Sequence, residues 1–256
     1  MGIDRITMNW ILELERNHGI LTNSKSIADL GPQDLSSDLR FSEPDRTAGL
    51  VDSRDLYSKW GLKDYIAFDL FDSRAEIVDL SIDLKRSDSW DIVTNFGTSE
   101  HVFNQFAFMK NCHDLTKPGG VSLHALPVAS GMDHGFFNYH PTFFRSLAIA
   151  NDYEILDFRY VPFAEKQSQS QRQDYKYTLL SQSYDLKERR NIFLTKLKVI
   201  ASLSNLQTVI NPMKFYKTFF LMDLVFVAFR KNLNSQFVSP IQEKYLKRLK
   251  APNNSS

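Results

Sequence analysis

The stretch at residues 90–127, WDIVTNFGTSEHVFNQFAFMKNCHDLTKPGGVSLHALP, constrains the fold more than any other part of the chain. Asp91-Ile92-Val93-Thr94-Asn95 is short, apolar and β-branched, as a buried strand is. Gly97-Thr98 breaks it. From Val102 to Leu115 apolar residues recur at helical spacing (Val102, Phe103, Phe106, Met109, Cys112), which predicts a helix. Lys117-Pro118-Gly119-Gly120 stops that helix and turns the chain, and Val121 to Leu126 reads as the next strand. Two strands joined by a crossover helix form a βαβ unit, which implies a parallel sheet.

At 256 residues the chain is one large domain, or one domain with an insert. Its net charge of +1 gives no electrostatic case for binding nucleic acid. One cysteine, Cys112, excludes an internal disulfide and a cysteine-based zinc site; its place on the apolar side of the helix is that of a core residue. The opening MGIDRITMNW has no signal-peptide pattern, and Ile6 stands where a myristoylation signal needs Ser or Thr. Residues 209–229 are apolar, but Lys214, Lys217 and Asp223 interrupt them, so no membrane span is expected. A cytoplasmic location is the expectation.

The remaining elements follow the same logic. Ile6, Met8, Trp10, Ile11 and Leu14 give residues 6–18 a helical period, closed by Gly19. Strands are expected at residues 26–31, 65–70, 76–81 and 153–158, and helices at 52–60 and 142–151. Residues 164–176 are Gln/Ser-rich and read as a loop; residues 186–206 read as a helix with a basic, solvated face. Asp223–Phe229 (DLVFVAF) reads as the last strand, and a basic helix and a Ser-rich tail follow Pro240.

The ordered set Asp91, Gly97-Thr98-x-Glu100-His101-Val102-Phe103-Asn104, Lys117-Pro118-Gly119-Gly120 and Asp133-His134-Gly135-Phe136-Phe137 resembles class I methyltransferases, which use S-adenosylmethionine (SAM). The resemblance covers roughly residues 20–160 and is to a subgroup marked by the Gly-Thr-x-Glu-His-Val-Phe-Asn run. It implies an α/β, doubly wound Rossmann-like sheet, mostly parallel with an antiparallel last strand. Residues 1–256 then form a single domain: a SAM-binding core at 20–160, a loop and helical insert at 161–222 and a tail at 233–256.

The resemblance also implies a cofactor site. Such enzymes carry an Asp-x-Gly-x-Gly loop after the first strand, because backbone must approach the ligand with no side chain between. Here the loop is Asp29-x-Gly31-Pro32-Gln33-Asp34, with one glycine. Gly31 would let the ligand lie against the strand end, and Asp29 would hold the methionine ammonium; a plain strand-ending turn would read the same way. Asp69, ending the second strand, would accept both ribose hydroxyls, with Asp72 as competitor and a turn cap as the alternative. Asp79 and Leu80 would border adenine, with Asp83 as alternative. Asn95 and Gly97 end the fourth strand at the carboxyl edge, where such sheets bind ligands.

Five of the six histidines lie between residues 101 and 140. They show no tight pair such as His-x-x-x-His, so no metal site is expected. His101, and His134 oriented by Asp133, are the candidate catalytic bases; either could instead be structural. Glu100 reads as a residue favoured by the dipole at a helix start.

The function implied is methyl transfer from SAM to oxygen or nitrogen of a small-molecule or sugar-like acceptor. A nicotinamide enzyme would need Gly-x-Gly-x-x-Gly, which is absent. A non-catalytic binding or scaffold protein is the other class, favoured by the single-glycine loop.

Overall fold

The computed structural model describes residues 2–36, 52–86, 89–129, 134–161, 178–179, 223–242 and 245. The predicted loop at 164–176 and helix at 186–206, and all but a fragment of the tail, lie outside them.

Eight strands form one sheet: β1 (Ser26–Leu30), β2 (Asp64–Asp69), β3 (Glu76–Ile77), β4 (Trp90–Phe96), β5 (Thr116–Ala129), β6 (Tyr153–Val161), β7 (Thr178–Leu179) and β8 (Asp223–Lys231). Their order is β3-β2-β1-β4-β5-β8-β6-β7. Pairing is parallel from β3 to β5, and β8 runs antiparallel to both β5 and β6. This is the expected doubly wound sheet with its antiparallel last strand; β7, antiparallel on β6, is an addition the sequence did not suggest.

Side chains alternate between two cores. In β8, Leu224, Phe226 and Ala228 enter one apolar cluster, and Val225, Val227 and Phe229 the other. Burial on both faces explains the unbroken apolar run. Helices α1 (Arg5–His18) and α2 (Ser53–Lys59) cover the first face, and α3 (Gln105–Leu115) and α4 (Pro141–Asn151) the second. Asp4 caps α1 at its start, and Gly19 closes it as the spacing predicted. Trp10 of α1 packs 4.8 Å from the Phe226 ring and donates its indole N–H to Asp157 of β6 at 2.6 Å. A fully buried aromatic of this kind contributes about 1.5–3 kcal/mol.

Three boundaries differ from expectation. β3 has two residues rather than six, because Asp79 and Ser81 make a local turn in which the Ser81 amide donates to the Asp79 carboxylate at 2.8 Å. Helix α3 starts at Gln105 rather than Val102: Asn104 caps it, accepting from the Ala107 amide, and Phe103 before it is 78% exposed. Lys117-Pro118-Gly119-Gly120 is a bulge inside β5, with a register shift between the pairs Trp90–Thr116 and Ile92–Val121.

Candidate functional site

The carboxyl ends of β1, β2 and β4 meet at one edge of the sheet, beside the point where strand order reverses. A cavity of about 600 Å³ opens there, a volume suited to a nucleoside-sized ligand. Of the residues singled out above, Gly31, Asp69, Asp79, Leu80, Gly97 and His101 line it. Asp29, Asn95 and His134 do not.

Gly31 has φ +90, which L side chains rarely adopt, and an added Cβ would fall on Thr98 Oγ1. The turn is pinned from both sides: the Gly31 amide donates to the Phe68 carbonyl at 2.8 Å, and the Thr98 hydroxyl to the Leu30 carbonyl at 2.5 Å. The turn therefore admits no side chain at this position.

Asp29 does not line the cavity. Its side chain is fully buried, and its two oxygens accept from four hydroxyls: Ser53 at 2.6 Å, Thr94 at 2.5 Å, and Tyr57 and Tyr65 at 3.2 Å each. Burial pushes its pKa up to about 6 against those hydrogen bonds. A carboxylate so engaged fixes the loop. Ser53 also accepts from the Gln33 amide at 3.4 Å, and the Ser53 amide donates to the Gln33 carbonyl at 2.8 Å.

Gln33 is the residue that sequence reasoning missed. It stands in the loop where the resembling family places a glycine, lines the cavity, and is 2% exposed. Its Nε2 donates to the Gly31 carbonyl at 2.8 Å, while Oε1 is buried and has no hydrogen-bond partner among the described residues. No periodicity marks such a residue.

Asp69 both lines the cavity and caps a turn: Oδ1 accepts the amides of Phe71 (2.8 Å) and Asp72 (3.0 Å). That commits one of the two oxygens expected for the ribose. Asp72, the competitor, is paired with Arg74 at 2.7 Å, and Asp83 with Lys110 at 3.1 Å. Ser81, through its hydroxyl and its amide, holds Asp79 below the usual carboxylate range. Asn95 does not line the cavity either: it is fully buried, donates to Ser99 Oγ (3.0 Å) and His124 Nδ1 (3.2 Å), and accepts from the Ser99 amide. It shapes the loop after β4 from beneath.

The histidines separate into two groups. His113, His124 and His140 are structural. Tyr153 lies 2.6 Å from His113, His140 caps α4, and His124 is buried, its pKa pushed down to about 3. His101 and His134 meet, ring centroids 4.8 Å apart at 67°. Asp133, expected to orient His134, lies outside the described residues; the carboxylate facing His134 is Glu100, with Oε1 3.4 Å from Nε2. Glu100 is not at the start of α3. It lies in a 3-10 turn (Ser99–His101), and its side chain is fully buried. Burial, with repulsion from His134, lowers the His101 pKa, so its imidazole is neutral at neutral pH.

No protein-family model and no curated protein matches the chain. Solved structures do. A Galdieria sulphuraria protein assigned as a sarcosine dimethylglycine methyltransferase superposes with a TM-score of 0.51 at 14% identity, covering 88% of this chain and 85% of that one. The StiE O-MT, residues 961–1257, gives 0.48 at 15% identity over 90% and 75% of the two chains. The 1,6-didemethyltoxoflavin-N1-methyltransferase of Burkholderia thailandensis gives 0.43 at 13% identity over 85% and 76%. The chain has the class I methyltransferase fold. Among the described residues no helix is long and apolar enough to cross a membrane.

Proposed function

We propose that the protein is a SAM-dependent methyltransferase acting on oxygen or nitrogen of a small-molecule or sugar-like acceptor. The observation that carries this reading is the cavity at the carboxyl edge, lined by Gly31 and by Gln33, whose buried Oε1 has no hydrogen-bond partner among the described residues. The residues present fit an adenosyl amino acid. Gln33 Oε1 would accept from its ammonium group, Asp69 from a ribose hydroxyl through the oxygen not used by the turn, and Asp79 from the adenine amino group, with Leu80 against the ring. The G. sulphuraria protein of the same fold is itself assigned as a methyltransferase, which agrees with this reading.

When bound, SAM supplies an electrophilic methyl group on a sulfonium. The chain's own task is then to seat the acceptor and receive its proton. Charge disperses as the methyl moves, so positioning dominates catalysis. Phe71, Phe103 and Phe136 line the same cavity and are 87%, 78% and 69% exposed. Such uncovered rings offer stacking faces for a sugar or a planar ring. His101, neutral and on the cavity wall, is placed to take the acceptor's proton, with His134 against its edge. A net charge of +1 argues against a nucleic-acid acceptor.

Calorimetric titration of the purified protein with SAM, and separately with S-adenosylhomocysteine (SAH), tests the reading. Micromolar binding of both is expected. Binding of neither would overturn it in favour of a scaffold that keeps the fold without the cofactor.

A further inference from the structure

Glu100, His101 and His134 form a cluster that proton transfer alone does not explain. Glu100 and His101 come from the 3-10 turn after β4, and His134 from the segment after β5. Gly135 brings the two together. A Cβ there would lie 2.9 Å from both Glu100 Cγ and the Glu100 carbonyl oxygen, and the Phe136 amide donates to that carbonyl at 2.7 Å. The backbone is pressed onto Glu100, and His134 is laid over its carboxylate.

Both imidazoles aim Nε2 at one oxygen. His134 Nε2 lies 3.4 Å and His101 Nε2 4.0 Å from Glu100 Oε1. These separations are long for charge-assisted hydrogen bonds, which run about 2.7–2.9 Å. The His134 separation is that of ligands grouped around a shared ion, since donors each about 2.0–2.1 Å from a tetrahedral centre stand about 3.4 Å apart; the half-exposed His101 side chain has to move inward by less than a bond length to join them. The three donor atoms all lie within 4.8 Å of one another. Glu100 Oε2 is buried and has no hydrogen-bond partner among the described residues. An orphaned carboxylate oxygen in a fully buried side chain is costly; burial raises the Glu100 pKa, and a proton or a bound cation would each relieve the cost.

We propose that Glu100, His101 and His134 bind one divalent transition-metal ion of the zinc class beside the cavity. Two imidazoles and one carboxylate suit zinc and its neighbours; magnesium and calcium prefer oxygen donors throughout. Three protein ligands leave a coordination position open, as catalytic sites do. His101 lines the cavity, so that position borders the acceptor. The role of the ion rests on the proposed function; its binding does not. An ion there acidifies an acceptor hydroxyl, whose proton passes to water. The acceptor oxygen then bonds to the methyl carbon as the carbon–sulfur bond breaks and its electron pair stays on sulfur. The acceptor class is thus a hydroxyl compound, and with the ion bound His101 acts on it through the ion in place of taking its proton directly.

The test uses the full chain, freed of metal with a chelator and titrated with zinc chloride and, separately, with cobalt(II), whose visible absorption reports tetrahedral nitrogen and oxygen ligation. One equivalent is expected to bind at micromolar or tighter affinity, weakened at least tenfold in His134→Ala and Glu100→Gln, with the cobalt bands lost. His101→Ala, at a half-exposed side chain, serves where the buried Glu100 variant does not fold. No zinc binding, or binding that all folded variants retain, overturns the proposal. SAH binding without zinc binding would sink the metal site alone; zinc binding without SAH binding would sink the methyltransferase reading and leave the site.

Discussion

The Thr98 hydroxyl reaches across from the end of β4 to the Leu30 carbonyl at the end of β1, 2.5 Å away, and Gly31 lies under that bridge with no room for a side chain. Gly31→Ala therefore has to relax a left-handed residue and push Thr98 aside. Strain of about 1–3 kcal/mol corresponds to a Tm lower by about 2–10 °C. SAH affinity should fall at least tenfold as the loop rises into the cavity. Thermal melting and calorimetry on one preparation check both; unchanged affinity would show that the ligand does not lie against this turn.

Gln33→Leu keeps the volume and removes the buried oxygen that has no partner among the described residues, together with the Nε2 bond to the Gly31 carbonyl; Gln33→Glu, which keeps an oxygen acceptor, should retain SAM binding. Losing a hydrogen bond to a charged group costs about 1.5–3 kcal/mol, so SAM and SAH should bind Gln33→Leu about 10- to 100-fold more weakly. Adenosine has no amino-acid end, so its affinity should hold. Equal loss for all three ligands would place Gln33 elsewhere in the site.

Asp69→Asn keeps an acceptor for the Phe71 and Asp72 amides while removing the charge. The fold should survive with Tm nearly unchanged, and SAH and adenosine should both weaken about tenfold or more. Wild-type affinity for adenosine in this variant would remove the ribose assignment.

The Asp29 carboxyl has a pKa raised from 3.8 to about 6 by burial. A raised acid binds its proton more tightly when folded, so the group supports the fold below its unfolded pKa and that support is lost as pH rises through about 6. The loss is about 3 kcal/mol for a shift of this size. Asp29→Asn has no such dependence. Urea unfolding of both proteins at pH 4, 5, 6 and 7 should show wild type losing ground to the variant as pH rises. Parallel curves would mean that the four hydroxyls hold the carboxylate charged throughout.

Much of the sheet was legible because its strands are buried on both faces: Ile92-Val93 and the run from Leu224 to Phe229 carry no polar alternation to blur them. The antiparallel direction of β8 was not written in its residues and came only with the family resemblance. β3 was overread because Asp79-Leu80-Ser81 has strand-like spacing, while its side-chain-to-amide bond makes a turn. Within the site, glycines and strand-end acids could be placed by position alone. Gln33 and Glu100 could not, since what distinguishes them is one buried oxygen each with no hydrogen-bond partner among the described residues, a property of three-dimensional packing. The setting of Asp29 was hidden for the same reason: its four hydroxyl partners come from α2, β2 and β4.

The seat of β8 between β5 and β6 also sets an order of assembly. Lys231 at its end donates to the Thr116 carbonyl at the start of β5, a contact spanning 115 residues. During synthesis β5 and β6 emerge long before the strand that joins them, and each carries an open, apolar edge meanwhile. Such edges recruit other chains, and the seating of β8 is what closes them. A chain cut short before residue 223 loses the middle of its sheet rather than a tail.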